Sequence, residues 1–265
     1  MNAKFRLAFC CAALFTLSIG NLKADLIGYM LTSNGTFGTI DLNTGAFSSL
    51  GSPGTYWGLG VANGALYADW GDELYSINPS NGSASLVGTD SSMSYRYFGS
   101  TTSGLYALGY DAANSSWGNL FSINPANGAA TLIGQTGLNV SGYGNLSTNS
   151  STLYFSQGAN LYTINTTTAA AMLVGGTGGA QIGAMVWEGG VLYGGEDPPG
   201  THVDTLNTTT GAASAGPTVS GATGYIVGLA PYPLGSSPTV PEPGTTALFA
   251  VGAAAFGLVR RRRAR

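Results

Sequence analysis

The chain has 265 residues, of which only 8% are charged and 42 are glycine, and its formal net charge is −3. Nine lysines and arginines against twelve acids exclude the cationic surface that nucleic-acid binding requires. Two cysteines and one histidine leave thiolate and imidazole metal chemistry almost without ligands.

Lys4 and Arg6 precede an apolar run from Leu7 to Ile19, the order of a secretory signal peptide, expected over residues 1–24. Cleavage is expected after Leu22-Lys23-Ala24, leaving Asp25 as the new N-terminus. Cys10 and Cys11 both lie inside this segment, and Phe9 is too large for the position before a lipoprotein cysteine. The exported domain is therefore expected to carry no disulfide and no thiolate metal site, and the secretion translocon is its first partner. Charge partitions the same way. Lys4, Arg6, Lys23 and five arginines near the C-terminus belong to terminal segments, so residues 25–240 hold Arg96 against eleven acids, a net charge of −10. Such a domain repels nucleic-acid phosphates and anionic lipid surfaces.

Internal repetition decides the architecture. Thr39-Ile40-Asp41-Leu42-Asn43-Thr44-Gly45 is echoed by Ser76–Gly82, Ser122–Gly128, Thr163–Ala169 and Thr205–Gly211. From Ile40 through Ile77, Ile123 and Ile164 to Leu206 the spacings are 37, 46, 41 and 42. A period near forty with several short strands per unit predicts a β-propeller. In the second unit, Trp57–Val61 is read as the inner strand, Ala65–Ala68 and Glu73–Ile77 as the next two, and Ala84–Gly88 as the outer one. The Asn-Pro-x-Asn-Gly turn follows from proline presetting φ, asparagine bonding its own backbone and glycine adopting φ > 0. Leu-Tyr pairs recur at 66–67, 105–106, 153–154 and 192–193.

The first unit lacks the Gly-rich inner strand of the others, and Gly224–Ala230 after the fifth unit supplies a match. The expectation is an all-β, five-bladed β-propeller of roughly 41-residue repeats over residues 25–233, closed by that C-terminal strand. An open solenoid of the same repeats would leave Tyr225–Ala230 unpaired. These units resemble the propeller-like Leu-Tyr-x-Ile-Asp/Asn-Pro-x-Thr/Asn-Gly repeats of bacterial exported proteins, a resemblance that implies a fold and no particular chemistry.

A linker is expected over 234–240. Beyond it come Pro241-Glu242-Pro243, an uncharged stretch over 244–259, and then Arg260, Arg261, Arg262, Arg263 and Arg265. Sixteen helical residues rise about 24 Å, short of the roughly 30 Å hydrocarbon core, which suits a transient transmembrane anchor. The arginines should stay cytoplasmic, leaving everything before Pro241 outside. The order of motif, helix and basic cap over 241–265 resembles the PEP-CTERM sorting signal. That resemblance implies an exosortase-type processing enzyme as partner, transient anchoring in the inner membrane, and delivery to the outer cell surface or beyond.

Candidate sites in the domain are few. Asp69, Asp72 and Glu73 beside Trp70 have oxygen ligands but not the spacing of a calcium loop, and are read as a solvated turn. Glu196-Asp197-Pro198-Pro199-Gly200 precedes His202, read as a surface residue. Inner-strand triplets such as Gly58-Leu59-Gly60 and Gly183-Ala184-Met185 bring no carboxylate to the channel, whereas glycoside hydrolysis needs two, about 5 to 10 Å apart. No metal and no cofactor are implied, and a non-catalytic domain is expected; the alternative is a secreted glycan-active hydrolase or lyase on the same fold. Trp57, Phe98, Tyr143 and Tyr225 stand at or just before their inner strands, with Ile182 in the fourth. They form a candidate ligand face for extracellular polysaccharide, or else pack between blades.

Overall fold

The computed structural model describes residues 26–101, 104–140, 144–149, 152–197 and 202–232. The predicted signal peptide, linker, Pro-Glu-Pro motif, anchor helix and basic tail lie outside the described residues, as does Tyr143.

The described residues form twenty strands in five four-stranded antiparallel sheets. Blade 2 runs from inside to outside as β4 (Leu59–Ala62), β5 (Ala65–Trp70), β6 (Glu73–Ile77) and β7 (Ala84–Thr89). Blade 3 follows as β8 (Met93–Thr101), β9 (Gly104–Asp111), β10 (Ser116–Ile123) and β11 (Ala130–Gln135). Blade 4 is β12 (Gly144–Thr148), β13 (Leu153–Gln157), β14 (Asn160–Ile164) and β15 (Ala171–Gly176). Blade 5 is β16 (Gln181–Glu188), β17 (Val191–Asp197), β18 (Val203–Leu206) and β19 (Ala213–Ser214). Blade 1 joins the two ends of the domain: β1 (Ile27–Thr32), β2 (Phe37–Asp41) and β3 (Phe47–Gly51) are completed on the inside by β20 (Ile226–Pro231). Tyr29 pairs with Ala230 and Met30 with Leu229. Tyr225 accepts a backbone hydrogen bond from Ser33, so the solenoid alternative fails at the point that distinguishes it.

The turn chemistry repeats in all five blades. The side-chain oxygen of Asp41, Asn78, Asn124, Asn165 or Asn207 accepts the N–H two residues on, at 2.8 to 2.9 Å. The main-chain carbonyl of the same residue accepts the N–H four residues on, at 2.7 to 2.8 Å. That fifth residue has positive φ, and in blade 4 it is Ala169 (φ 62°) where the others use glycine. The core lies between the blades. Among the described residues each pair of neighbours shares one buried apolar layer, including the closing pair, where Met30, Ile40, Ile226 and Leu229 of blade 1 meet Ala184, Val186 and Val203 of blade 5.

A second contact runs around the rim. The glycine near the end of one outer strand backs onto the turn of the next blade: a Cβ on Gly51, Gly88 or Gly175 would overlap the carbonyl oxygen of Asn81, Asn127 or Thr210. Outer strands of blades 1 to 4 also share a register shift beside Leu50, Val87, Ile133 and Val174. Such bulges twist an exposed edge away from edge-to-edge pairing. The 46-residue spacing of the third unit is explained by its long β9–β10 hairpin.

Candidate functional site

The inner strands β20, β4, β8, β12 and β16 surround a central channel with a cavity at each end. At its waist Asn145 of β12 donates from Nδ2 to the carbonyl of Val227, 3.4 Å away. Blades 4 and 1 are not neighbours, so this bond crosses the channel axis. The cavity where the inner strands end has about 440 Å³ and is lined by Asn63, Ser100, Ser147, Asn149 and Trp187, with no charged group among its described residues. The cavity where they begin has about 470 Å³ and a different chemistry, with Trp57, Trp70, Arg96, Tyr97 and Tyr225 in its wall.

Trp57 precedes β4 and is held there by its N–H, which donates to the Asp69 carbonyl at 3.2 Å. That bond brings it beside Trp70, the last residue of β5, and the two indoles meet edge to face with centroids 5.7 Å apart. Each is 42% exposed, as an aromatic platform open to solvent must be. Tyr225, 43% exposed, is anchored on the neighbouring blade 1, where its N–H donates to Ser33 Oγ at 3.0 Å. The Arg96 guanidinium lies 5.7 Å from the Trp57 ring centre and 5.9 Å from that of Tyr97, within cation–π range. Burial raises the Tyr97 pKa, and a hydrogen bond from Arg96 together with its charge opposes that shift.

Of the four aromatics predicted for this face, Trp57 and Tyr225 line the cavity and Tyr143 lies outside the described residues. Phe98 is a correction. It is fully buried between blades 2 and 3 with Leu74, Tyr95 and Leu105, because alternation along β8 sends it away from the cavity while its neighbour Tyr97 lines it. Gly183 stands at the fourth blade's place, and Ile182 is buried. Trp70 and Arg96 escaped the sequence reading. Trp70 belongs to a second strand rather than an inner one, but Arg96 carried a signal, being the one cation in an acidic domain.

The acidic cluster is also corrected. Asp69 is no turn residue: β5 extends through Trp70, which pairs with Glu73 across a two-residue turn at Gly71 (φ 63°) and Asp72. The Asp69 side chain is fully buried in the layer between blades 2 and 3, beneath Gly58 and beside Phe98, and no other described residue bonds either oxygen. Burial pushes its pKa up to about 8, against a smaller lowering by its own amide. Glu73 accepts the Tyr75 hydroxyl at 2.6 Å. His202 Nδ1 lies 3.4 Å from Glu196 Oε2, with the His202 side chain 39% exposed. Asp204 nearby is raised by burial, lowered by a bond from the Gly216 N–H, raised by Glu196 and lowered by His202. Among the described residues no three His, Cys, Asp or Glu side chains form a group able to hold a metal.

Residues 239–263 match the model of the PEP-CTERM protein-sorting motif. A search of curated proteins gave no match. Among solved structures the chain is similar to regucalcin, a calcium-binding protein of Agrobacterium tumefaciens strain C58, at 13% identity and a TM-score of 0.48, covering 74% of this chain and 71% of that one. It is also similar to a symmetrical protein from a study of de novo evolutionary emergence, at 15% identity and a TM-score of 0.48, covering 77% and 93%. A chain of a nidogen/laminin complex is 11% identical with a TM-score of 0.46, covering 77% and 97%.

Proposed function

We propose that this five-bladed propeller with its C-terminal PEP-CTERM motif is a non-catalytic surface or matrix protein that holds extracellular polysaccharide at the aromatic end of its channel. The observation that carries the reading is the pair of half-exposed indoles, Trp57 and Trp70, at the wall of a 470 Å³ cavity. Aromatic faces bury the apolar faces of pyranose rings, and the Ser33 and Thr55 hydroxyls that share the cavity wall suit sugar hydroxyls. A hydrolase would need a pair of carboxyl groups across the substrate. Asp69, although its raised pKa suits an acid, is sealed under Gly58 and Phe98, and Glu73 is engaged by Tyr75.

Pull-down of the purified full chain in detergent on matrix polysaccharide tests the binding role. Trp57→Ala and Trp70→Ala should each weaken retention about tenfold, or about 1.4 kcal/mol. Trp187→Ala, at the other end of the channel, should leave it unchanged. Equal loss from all three, or no retention of the parent chain, contradicts the reading.

The sorting motif implies handling by exosortase, with a passage through the membrane before release to the surface. Replacing Glu242 or deleting Arg260–Arg265 should leave a membrane-held precursor on an immunoblot of cell fractions. Normal processing of both variants would contradict this role for the tail.

A further inference from the structure

Both ends of the propeller leave from one face. β1 begins at Ile27 and β20 ends at Pro231, and the two strands pair antiparallel with Gly28 opposite Pro231. The chain therefore enters and leaves the ring where the inner strands end, beside the cavity that Pro231 lines. From this shared exit we infer that the propeller is exported with that end against the lipid surface of the membrane and with its aromatic cavity pointing away.

This inference rests on the proposed passage through the membrane and adds the surface that meets the bilayer. The apolar run Leu7–Ile19 lies ahead of one exit, and the uncharged stretch 244–259 lies beyond the other. Fully extended, residues 20–25 reach about 20 Å and residues 233–243 about 40 Å. Either apolar segment, seated in the bilayer, thus keeps the same end of the ring close to it. The exits are also fixed in place. The Glu188 carboxylate accepts the Tyr232 N–H, and the Tyr232 ring lies 5.1 Å from that of Tyr29. At the other exit the Leu26 carbonyl accepts the Leu42 N–H at 2.8 Å, and its side chain lies over Gly189, next to Glu188.

Charge acts in the same direction. Asp72, Glu73, Asp90, Asp111, Glu196 and Asp197 stand at the aromatic end, whereas Asp41 and Glu188 are the acids at the exit end among the described residues. Strands of five or six residues at about 3.3 Å per residue set the two ends about 20 Å apart. That exceeds the screening length of about 10 Å at 0.1 M salt, so an anionic lipid surface acts on the nearer end and turns the acidic one outward. The aromatic cavity is then open to polysaccharide before the tail is cut.

Energy transfer tests this orientation in vesicles of phosphatidylcholine and phosphatidylglycerol that carry an acceptor dye on the headgroups. The full chain with Cys10→Ser and Cys11→Ser receives one donor dye at a single new cysteine. Ser80→Cys and Ala126→Cys mark the exit end of blades 2 and 3, and Ser91→Cys and Ala113→Cys mark the aromatic end of the same blades. All four positions are exposed turn residues, and each variant is checked for an unchanged unfolding midpoint. Transfer from Ser80→Cys and Ala126→Cys should exceed that from Ser91→Cys and Ala113→Cys at least about twofold. Equal transfer from the two ends, or a reversed order, in either blade overturns the inference and leaves the binding role and the sorting role standing. A chain that does not float with the vesicles overturns the inference together with the proposed membrane passage.

Discussion

Leu229→Ala is expected to lower the unfolding free energy by about 3 kcal/mol, while Leu173→Ala changes it by less than about 0.5 kcal/mol. The side chains are the same and their places in the ring are not. Leu229 is 2% exposed in β20, packed with Met30 and Ile40 of its own blade and with Ala184 and Val186 of blade 5. Leu173, in the outer strand β15, is 60% exposed. The closing strand also carries the backbone ladder to β1, so deleting Ile226–Pro231 removes the inner wall of blade 1 and exposes Tyr29, Met30 and Leu31 together. That deletion is expected to abolish the cooperative urea transition, because each blade is stable only with its apolar faces covered on both sides. Residues 25–240 hold no cysteine, so this strand rather than a disulfide joins the two ends of the propeller. Equal midpoint shifts for the two leucine variants would mean that the ring is not held shut by β20.

The second large effect belongs to Asp69. Its pKa is raised from 3.8 to about 8, with burial as the main cause. A carboxyl raised by folding binds its proton more tightly in the native state. Stability is therefore highest below pH 4, falls as pH rises through the window from about 4 to about 8, and reaches its full loss above 8. Four pKa units correspond to an upper bound on the order of 5 kcal/mol. Asp69→Asn cannot ionise, so it should flatten this slope and be more stable than the parent at pH 9 by several kcal/mol. At pH 5, where the parent carboxyl is neutral in the folded state, the difference should be about 1 kcal/mol. Asp90 acts in the opposite direction at lower pH. Burial would raise its pKa, but bonds from the Ser92 hydroxyl and from the N–H groups of Ala130 and Ser92 outweigh that and lower it. Its stabilisation is lost only as pH falls below the ordinary carboxylate range. Urea midpoints measured from pH 4 to pH 9 check the prediction, and parallel profiles for parent and Asp69→Asn would contradict it.

The ring was legible in the sequence because its period is carried by turn chemistry. Asn78, Asn124, Asn165 and Asn207 bond their own backbones as the turn motif predicts, and the Leu-Tyr pairs at 66–67, 105–106, 153–154 and 192–193 each fall in the second strand of a blade. Closure was legible too, since a missing inner strand at one end and a spare one at the other can satisfy each other. The wall of the cavity was only half legible. Trp57 and Tyr225 follow from their place before inner strands, but whether Tyr97 or Phe98 faces the channel depends on a one-residue register, and the ladder shifts between Tyr95 and Tyr97. Trp70 and Asp69 are not legible, because the polar run 69–73 hides a two-residue turn at Gly71-Asp72, and the strand that buries the acid and presents the indole runs on through both.

In the proposed function, polysaccharide sits on the indoles of Trp57 and Trp70. Tryptophan emission tests it most directly in the full chain carrying Trp117→Phe and Trp187→Phe, where those two indoles are the only ones left. Titration with matrix polysaccharide should give a saturable change in emission, because the ring displaces water from both half-exposed indoles. An emission spectrum unaltered at saturating polysaccharide would mean that the sugar does not sit on these indoles.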